Sequence, residues 1–165
     1  MDRLNEMGYR VGQRVLELIV WREKNSRRET RILGILQFIH TVVWKTLFGK
    51  AADSLEKSRE HDDECTPHPS PLSVLRGRKL VCVDAVDMLH DNAPMITKFI
   101  SIPSSMSQLN CGAFLAGIIE AVLDSTMFFT QRVTAHTTGD EETPQRCTIL
   151  IKFTREVVER EALLK

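Results

Sequence analysis

The stretch SQLNCGAFLAGIIEAVL, Ser107 to Leu123, constrains this chain more than any other, because Glu120 is its only charged side chain. A helix apolar around its whole circumference belongs in an interior rather than on a surface. At about fifteen residues it is shorter than the ~20 needed to cross a bilayer. Gly112 with Ala116, and Ala113 with Gly117, place small residues one turn apart, where another backbone can approach. Phe114, Ile118 and Val122 add bulk along an i, i+4, i+8 row. The segment reads as the central strut of a packed domain, capped at Ser107, with no active-site chemistry in it.

The 165 residues suit a single domain spanning 1–165. Lys+Arg and Asp+Glu both number 22, so the net charge is +0. That balance argues against nucleic acid as a partner, since polyphosphate binders carry a basic excess. It also removes the self-repulsion that keeps monomers apart, which suits a subunit of a larger assembly. The four cysteines, Cys65, Cys82, Cys111 and Cys147, make no C-x-x-C pair. They read as reduced thiols of a cytoplasmic protein without a secretory leader.

Val11, Val15, Leu18 and Ile19 recur at helical spacing, opposite Arg10, Arg14, Glu17 and Arg22. A break at Asn25–Ser26 separates this amphipathic helix from a denser one over Glu29–Phe48, which Gly49 closes. Lys50–Glu64 reads as a charged, short helical continuation. Pro67, Pro69 and Pro71 then preclude helix and mark a flexible loop. LVCVDAV and MITKFISI (Met95–Ile102) read as two strands joined by a hairpin-like turn, and RVTAHTT and RCTILIKF as two more. In the last, Cys147, Ile149, Ile151 and Phe153 share one face. A polar-faced helix, Arg155–Leu164, ends the chain. The order ααα–ββ–α–ββ–α predicts an α+β fold: a four-stranded, largely antiparallel sheet packed against helices.

Several constellations invite chemistry. His61, Cys65 and His68 have loosely ligand-like spacing, but no second pair of ligands follows, so no metal is expected. Cys111 and Cys147 with His136 suggest a cysteine nucleophile, yet a buried thiol on an apolar face is better read as core. Glu120 lacks a second carboxylate, and His40 within ILQFIHTVV reads as a satisfied core histidine. No G-x-x-x-x-G-K-[ST] or G-x-G-x-x-G run is present, so no nucleotide or other cofactor is expected.

MGYRVGQRVLE, REKNSRRET, WKTLFGKAAD, FISIP and LNCGAFLAGIIEAVL, in that order, resemble the Bet-type small subunits of TRAPP, the transport protein particle. The resemblance covers Met7–Lys57 and Met95–Lys165. It implies the shared α+β fold of those subunits and a non-catalytic scaffold role. It further implies an assembly that exchanges nucleotide on a Rab-family GTPase and tethers vesicles between endoplasmic reticulum and Golgi, peripheral on those membranes. Its partners would be other TRAPP small subunits. Three departures stand out. Family members usually carry a further helix ahead of the GYRVG segment, so the pairing face is expected to be truncated or altered. The founding Bet-type subunit has an acylated cysteine just before its R-E-T motif, where Asn25–Arg28 stand here, which excludes a lipid linked at that position. Residues 59–79 look inserted, as a flexible loop.

Val15, Leu18, Ile35, Ile39 and Val43 are the candidates for the contact with a sister subunit. Arg22, Lys24, Arg27, Arg28 and Arg31 form the most cationic segment. Two readings of it stand side by side: a solvated connection between helices, or a basic patch facing anionic lipid or an acidic partner. The alternative class is a stand-alone small-molecule binder or cysteine hydrolase.

Overall fold

The computed structural model describes residues 2–23, 28–57, 86–106, 109–139 and 142–164. Helix α1 (Asp2–Arg22) is followed by α2 (Ile32–Phe38), a π-helical stretch (Ile39–Val43) and α3 (Trp44–Phe48), which run on without a break. Strands β1 (Ser54–Lys57) and β2 (Val86–Asp91) precede α4 (Gly112–Ser125). Strands β3 (Thr130–Thr137) and β4 (Cys147–Phe153) and helix α5 (Arg155–Leu163) complete the order. The four strands form one sheet in the order β1-β2-β4-β3, every neighbour antiparallel. The expected α+β class with a four-stranded antiparallel sheet is the class observed.

Helix α4 is the strut its composition demands. Leu115, Ala116, Ile118, Ile119, Ala121, Val122 and Leu123 are all buried, between the β3–β4 half of the sheet and α1. It starts at Gly112, whose N–H donates to the Asn110 side-chain carbonyl at 2.8 Å. Ser107, the expected cap, lies outside the described residues. The helix ends with Phe128 N–H donating to Leu123 O at 2.9 Å and Met127 N–H to Asp124 O at 3.0 Å. Met127 supplies the left-handed residue of that cap, at φ 65°, where glycine is usual.

The π stretch has a steric reason. Ile35, Ile39 and Val43 repeat every four residues, and four residues overshoot a 3.6-residue turn by about 40°. A wider turn there cancels the drift and keeps all three, with Trp44, pointing inward. Trp44 Nε1 donates to the Asp91 carboxylate at 3.0 Å, and Lys50 Nζ reaches its other oxygen at 2.7 Å. Asp91 is thus a buried charge with a cation and hydrogen-bond donors around it, the condition under which such a group is tolerated. At the far end, Glu161 of α5 accepts from Ile32 N–H at 3.1 Å and caps α2, while Arg31 pairs with the same carboxylate at 3.3 Å.

One expected strand and one expected helical stretch are corrected. Residues 95–99 form turns, not a strand. The strand that pairs β2 lies at Ser54–Lys57 instead, inside the stretch read as helical. Its sequence, SLEK, carries no apolar alternation, and only pairing with the edge of β2 fixes its conformation. Of LVCVDAV only Val86 is described, as the first residue of β2. The loop expected at 59–79 lies outside the described residues.

At its glycines, helix α1 lies close against the backbone of α4. A Cβ on Gly12 would sit 2.6 Å from Ile118 O and 2.8 Å from Ala121 Cβ. One on Gly8 would collide with the Phe114 backbone, and one on Gly117 with that of Asn5. Gly12→Val is expected to lower stability by about 1–3 kcal/mol, as overpacking does, read as a fall in the urea midpoint. An unchanged midpoint would show that the helices do not touch there.

His90 on β2 is 6% exposed, and its Nδ1 is 2.9 Å from Thr148 Oγ1, which in turn is 2.6 Å from Thr138 Oγ1. Burial, helped by nearby Arg146 and opposed by Glu56, holds its imidazole below the ordinary value. The folded chain therefore binds this proton less readily than the unfolded one. The stability it contributes is complete above the unfolded value of about 6.5 and is lost as pH falls through the lower folded value. The melting temperature should drop between neutral pH and the mildly acidic range, and His90→Gln should flatten that slope. Identical slopes in the two proteins would contradict this assignment.

Candidate subunit-docking surface

Helix α1 has two apolar faces, and the fold uses one. Gly8, Gly12 and Ile19, with Leu16 partly covered, turn inward onto α4 and the core. Met7, Val11 and Leu18 turn outward and are exposed, with Val15 half-buried between the two faces. With Val15 between them, these residues follow each other at intervals of four, four and three, the spacing at which a helix presents a continuous seam to another helix. Trp21 extends the seam by one turn and is 82% exposed. Beside the seam lies a groove of about 530 Å³ lined by Arg10, Val11, Gln13, Arg14, Val15 and Leu18. Its polar border is already neutralised: Arg10 pairs with Glu6 at 2.7 Å and Arg14 with Glu17 at 2.9 Å. Exposed i, i+3 and i, i+4 pairs of this kind contribute little to stability. They do keep the border from repelling a partner of either sign.

The five candidates for the contact separate. Val15 and Leu18 lie on or beside the seam. Ile35, Ile39 and Val43 are 2%, 1% and 0% exposed, inside the core. That placement corrects the expectation: their side chains are buried in the core cluster, and only Ile35 borders a surface hollow. Met7, Val20 and Trp21 were not singled out in the sequence. The signal that finds the right face is Gly8-x-x-x-Gly12, which marks the inward side and so leaves Val11 and Leu18 outside.

The basic segment also separates. Lys24 and Arg27 lie outside the described residues. Arg22 and Arg28 are exposed. Arg31 is engaged by α5, through Glu161 and the Leu164 carbonyl oxygen. A second hollow, about 490 Å³, lies where α1, α2 and the end of α4 converge; Leu16, Ile19, Phe38 and Met127 line it, with Glu23, Arg28 and Glu29 among its polar residues.

The residues that invited chemistry are placed as follows. Cys147 is buried on β4, and burial, with Asp91 adding, pushes its thiol up to about 11. Cys111 is buried just ahead of α4. His136 is exposed, 3.1 Å from Thr134 Oγ1. Glu120 is half-buried and accepts from Asn5 Nδ2 at 3.2 Å, tying α4 to α1. His40 sits in the π stretch, and its carbonyl accepts from Ala52 N–H at 3.1 Å. His61, Cys65 and His68 lie outside the described residues, and no group of three His, Cys, Asp or Glu stands close enough to hold a metal among the described ones. No described helix is long and apolar enough to cross a membrane. Because its thiolate is disfavoured, Cys147 should stay unmodified by iodoacetamide in native protein at neutral pH and react only after denaturation; rapid native labelling would reopen a nucleophile reading.

Comparison with known proteins gives a consistent result. Residues 1–154 match the family model described as transport protein particle (TRAPP) component. Trafficking protein particle complex subunit 5 of Dictyostelium discoideum is 50% identical, over 97% of this chain and 74% of its own length. The Homo sapiens subunit of the same name is 39% identical, over 99% of this chain and 72% of its own length. Among solved structures, trafficking protein particle complex subunit 3 from Naegleria fowleri, covalently bound to palmitic acid, aligns with a TM-score of 0.60 at 16% identity. That alignment covers 93% of this chain and 80% of the other, and it speaks for the fold alone.

Proposed function

This chain belongs to the TRAPP component family, and from that premise we propose that it is a non-catalytic structural subunit of the trafficking particle, docked to a sister subunit through the outward seam of α1. The observation that carries the proposal is that seam: Met7, Val11, Leu18 and Trp21 stay exposed after α1 has packed. A monomer gains nothing from apolar side chains at helix-pairing spacing on its outside, whereas a helix from a second subunit would bury them. A standard contact covers ~1,600 Å² in total, which two facing helices and their flanks supply. Relatives 39–50% identical over nearly the whole chain are themselves named subunits of such a complex.

The particle's role then follows from the family: nucleotide exchange on a Rab-family GTPase and vesicle tethering between endoplasmic reticulum and Golgi, at the periphery of those membranes. This subunit's share of that work is to hold neighbours in place. Nothing observed favours a cysteine hydrolase, because the Cys147 thiol is buried and protonated and His136 faces Thr134.

Replacing Val11 and Leu18 together by Asp and Glu should weaken capture of a TRAPP sister subunit at least about tenfold, the equivalent of ~1.4 kcal/mol. Its melting temperature should stay close to that of the parent, since both positions are solvated. Undiminished capture by the folded double variant would refute the seam as the dock.

A further inference from the structure

A second exposed apolar surface has a different character. Between Asp91 and Glu120 the chain carries one charged side chain, Lys98, and no acidic one. Within that interval the segment from β2 to the short 3-10 turn at Ser104–Met106 turns Met95, Phe99, Ile100, Ile102 and Met106 outward, Phe99 to 83%. Its backbone is folded back on itself: Thr97 N–H donates to Pro94 O at 3.2 Å, Ile100 N–H to Thr97 O at 3.1 Å and Met106 N–H to Pro103 O at 2.9 Å. Pro94 and Pro103 have no N–H to satisfy. Lys98 Nζ lies 5.4 Å from the centre of the Phe99 ring, so the cation stands beside the most exposed aromatic.

We propose that residues 94–106 are a lipid-contacting loop that enters the headgroup region of an anionic bilayer, with Phe99 and Ile100 at its tip and Lys98 on lipid phosphate or carboxylate. Each feature answers a requirement of that solvent. Apolar and aromatic side chains partition into the boundary between headgroups and acyl chains, and lysine snorkels back to the headgroups. Turns that close their own hydrogen bonds, and prolines without donors, lower the cost of leaving water. The absence of carboxylates avoids repulsion from the negative surface potential of an anionic leaflet. A protein partner fits less well. A stable protein contact draws on ~20–30 residues a side with a polar rim, whereas this patch comes from one short loop whose only charge is Lys98. The proposal stands apart from the subunit reading, because it uses a surface separate from the α1 seam.

The test is co-flotation of the full chain with phosphatidylcholine vesicles, with and without phosphatidylserine, at low salt. The chain should float with the anionic vesicles, and Phe99→Asp with Ile100→Asp should lower the bound fraction about tenfold or more. Lys98→Ala should remove the preference for phosphatidylserine. All three positions are solvated, so melting temperatures should stay at the parent's value. Phe99→Cys, in a chain with Cys65→Ser and Cys82→Ser and carrying an environment-sensitive dye, should shift to the blue with the same vesicles. The proposal is overturned if the parent chain stays in solution, if the double variant floats equally, or if the dye responds to a TRAPP sister subunit and not to lipid.

Discussion

Three glycines let two helix backbones touch, and the rest of the molecule is arranged around that contact. Gly8 and Gly12 of α1 lie on the backbone of α4 at Phe114 and Ile118, and Gly117 of α4 lies on that of α1 at Asn5. At these glycines the backbones approach closely, and α4 is enclosed between α1 and the sheet. The polar ties that cross the same contact, Asn5 to Glu120 and Tyr9 to Asp124, add direction to a junction that packing alone would leave free to slide. Because glycines supply part of the inward face of α1, beside Ile19 and Leu16, not all of its larger apolar residues are needed inside. That is why a helix with so many of them still presents Val11, Leu18 and Trp21 to the exterior.

The second half of the core is built by the α2–π–α3 rod. It is pinned at one end by the Asp91 carboxylate, through Trp44 and Lys50, and at the other by Glu161 of α5. Both anchors join residues distant in sequence, so α5 and β2 fix the rod in place. Among the described residues, the thiols of Cys111 and Cys147 and the Asp91 carboxylate are buried in the interior.

Much of the architecture was legible in the sequence because periodicity survives folding: the unbroken apolar run of α4, and the alternation of Cys147, Ile149, Ile151 and Phe153 on β4. The strand at Ser54–Lys57 was not legible, since three polar residues and a single leucine carry no strand pattern and pair with Leu89 and its neighbours on β2. Met95–Ile102 misled for the opposite reason. Its β-branched and aromatic residues have the composition of a strand, but the segment turns over residues 95–99, and Phe99, Ile100 and Ile102 face water. The docking surface was half legible. An apolar residue at helical spacing reads the same whether it faces a core or a partner, so Ile35, Ile39 and Val43 could not be told from Leu18. The arginines of 22–31 share a charge but not a role, and only the position of α5 shows that Arg31 is committed to it.

The central claim is that the outer seam of α1 is covered by a sister subunit in the assembled particle. A photo-crosslinking amino acid at position 18, introduced into the chain within assembled complex, tests it most directly. A dominant adduct with one neighbouring TRAPP subunit is expected, absent when the same group stands at position 159, exposed on α5 and away from the seam. A position 18 that reacts only with water, while an adduct to that neighbour forms from the β3 edge instead, would contradict it.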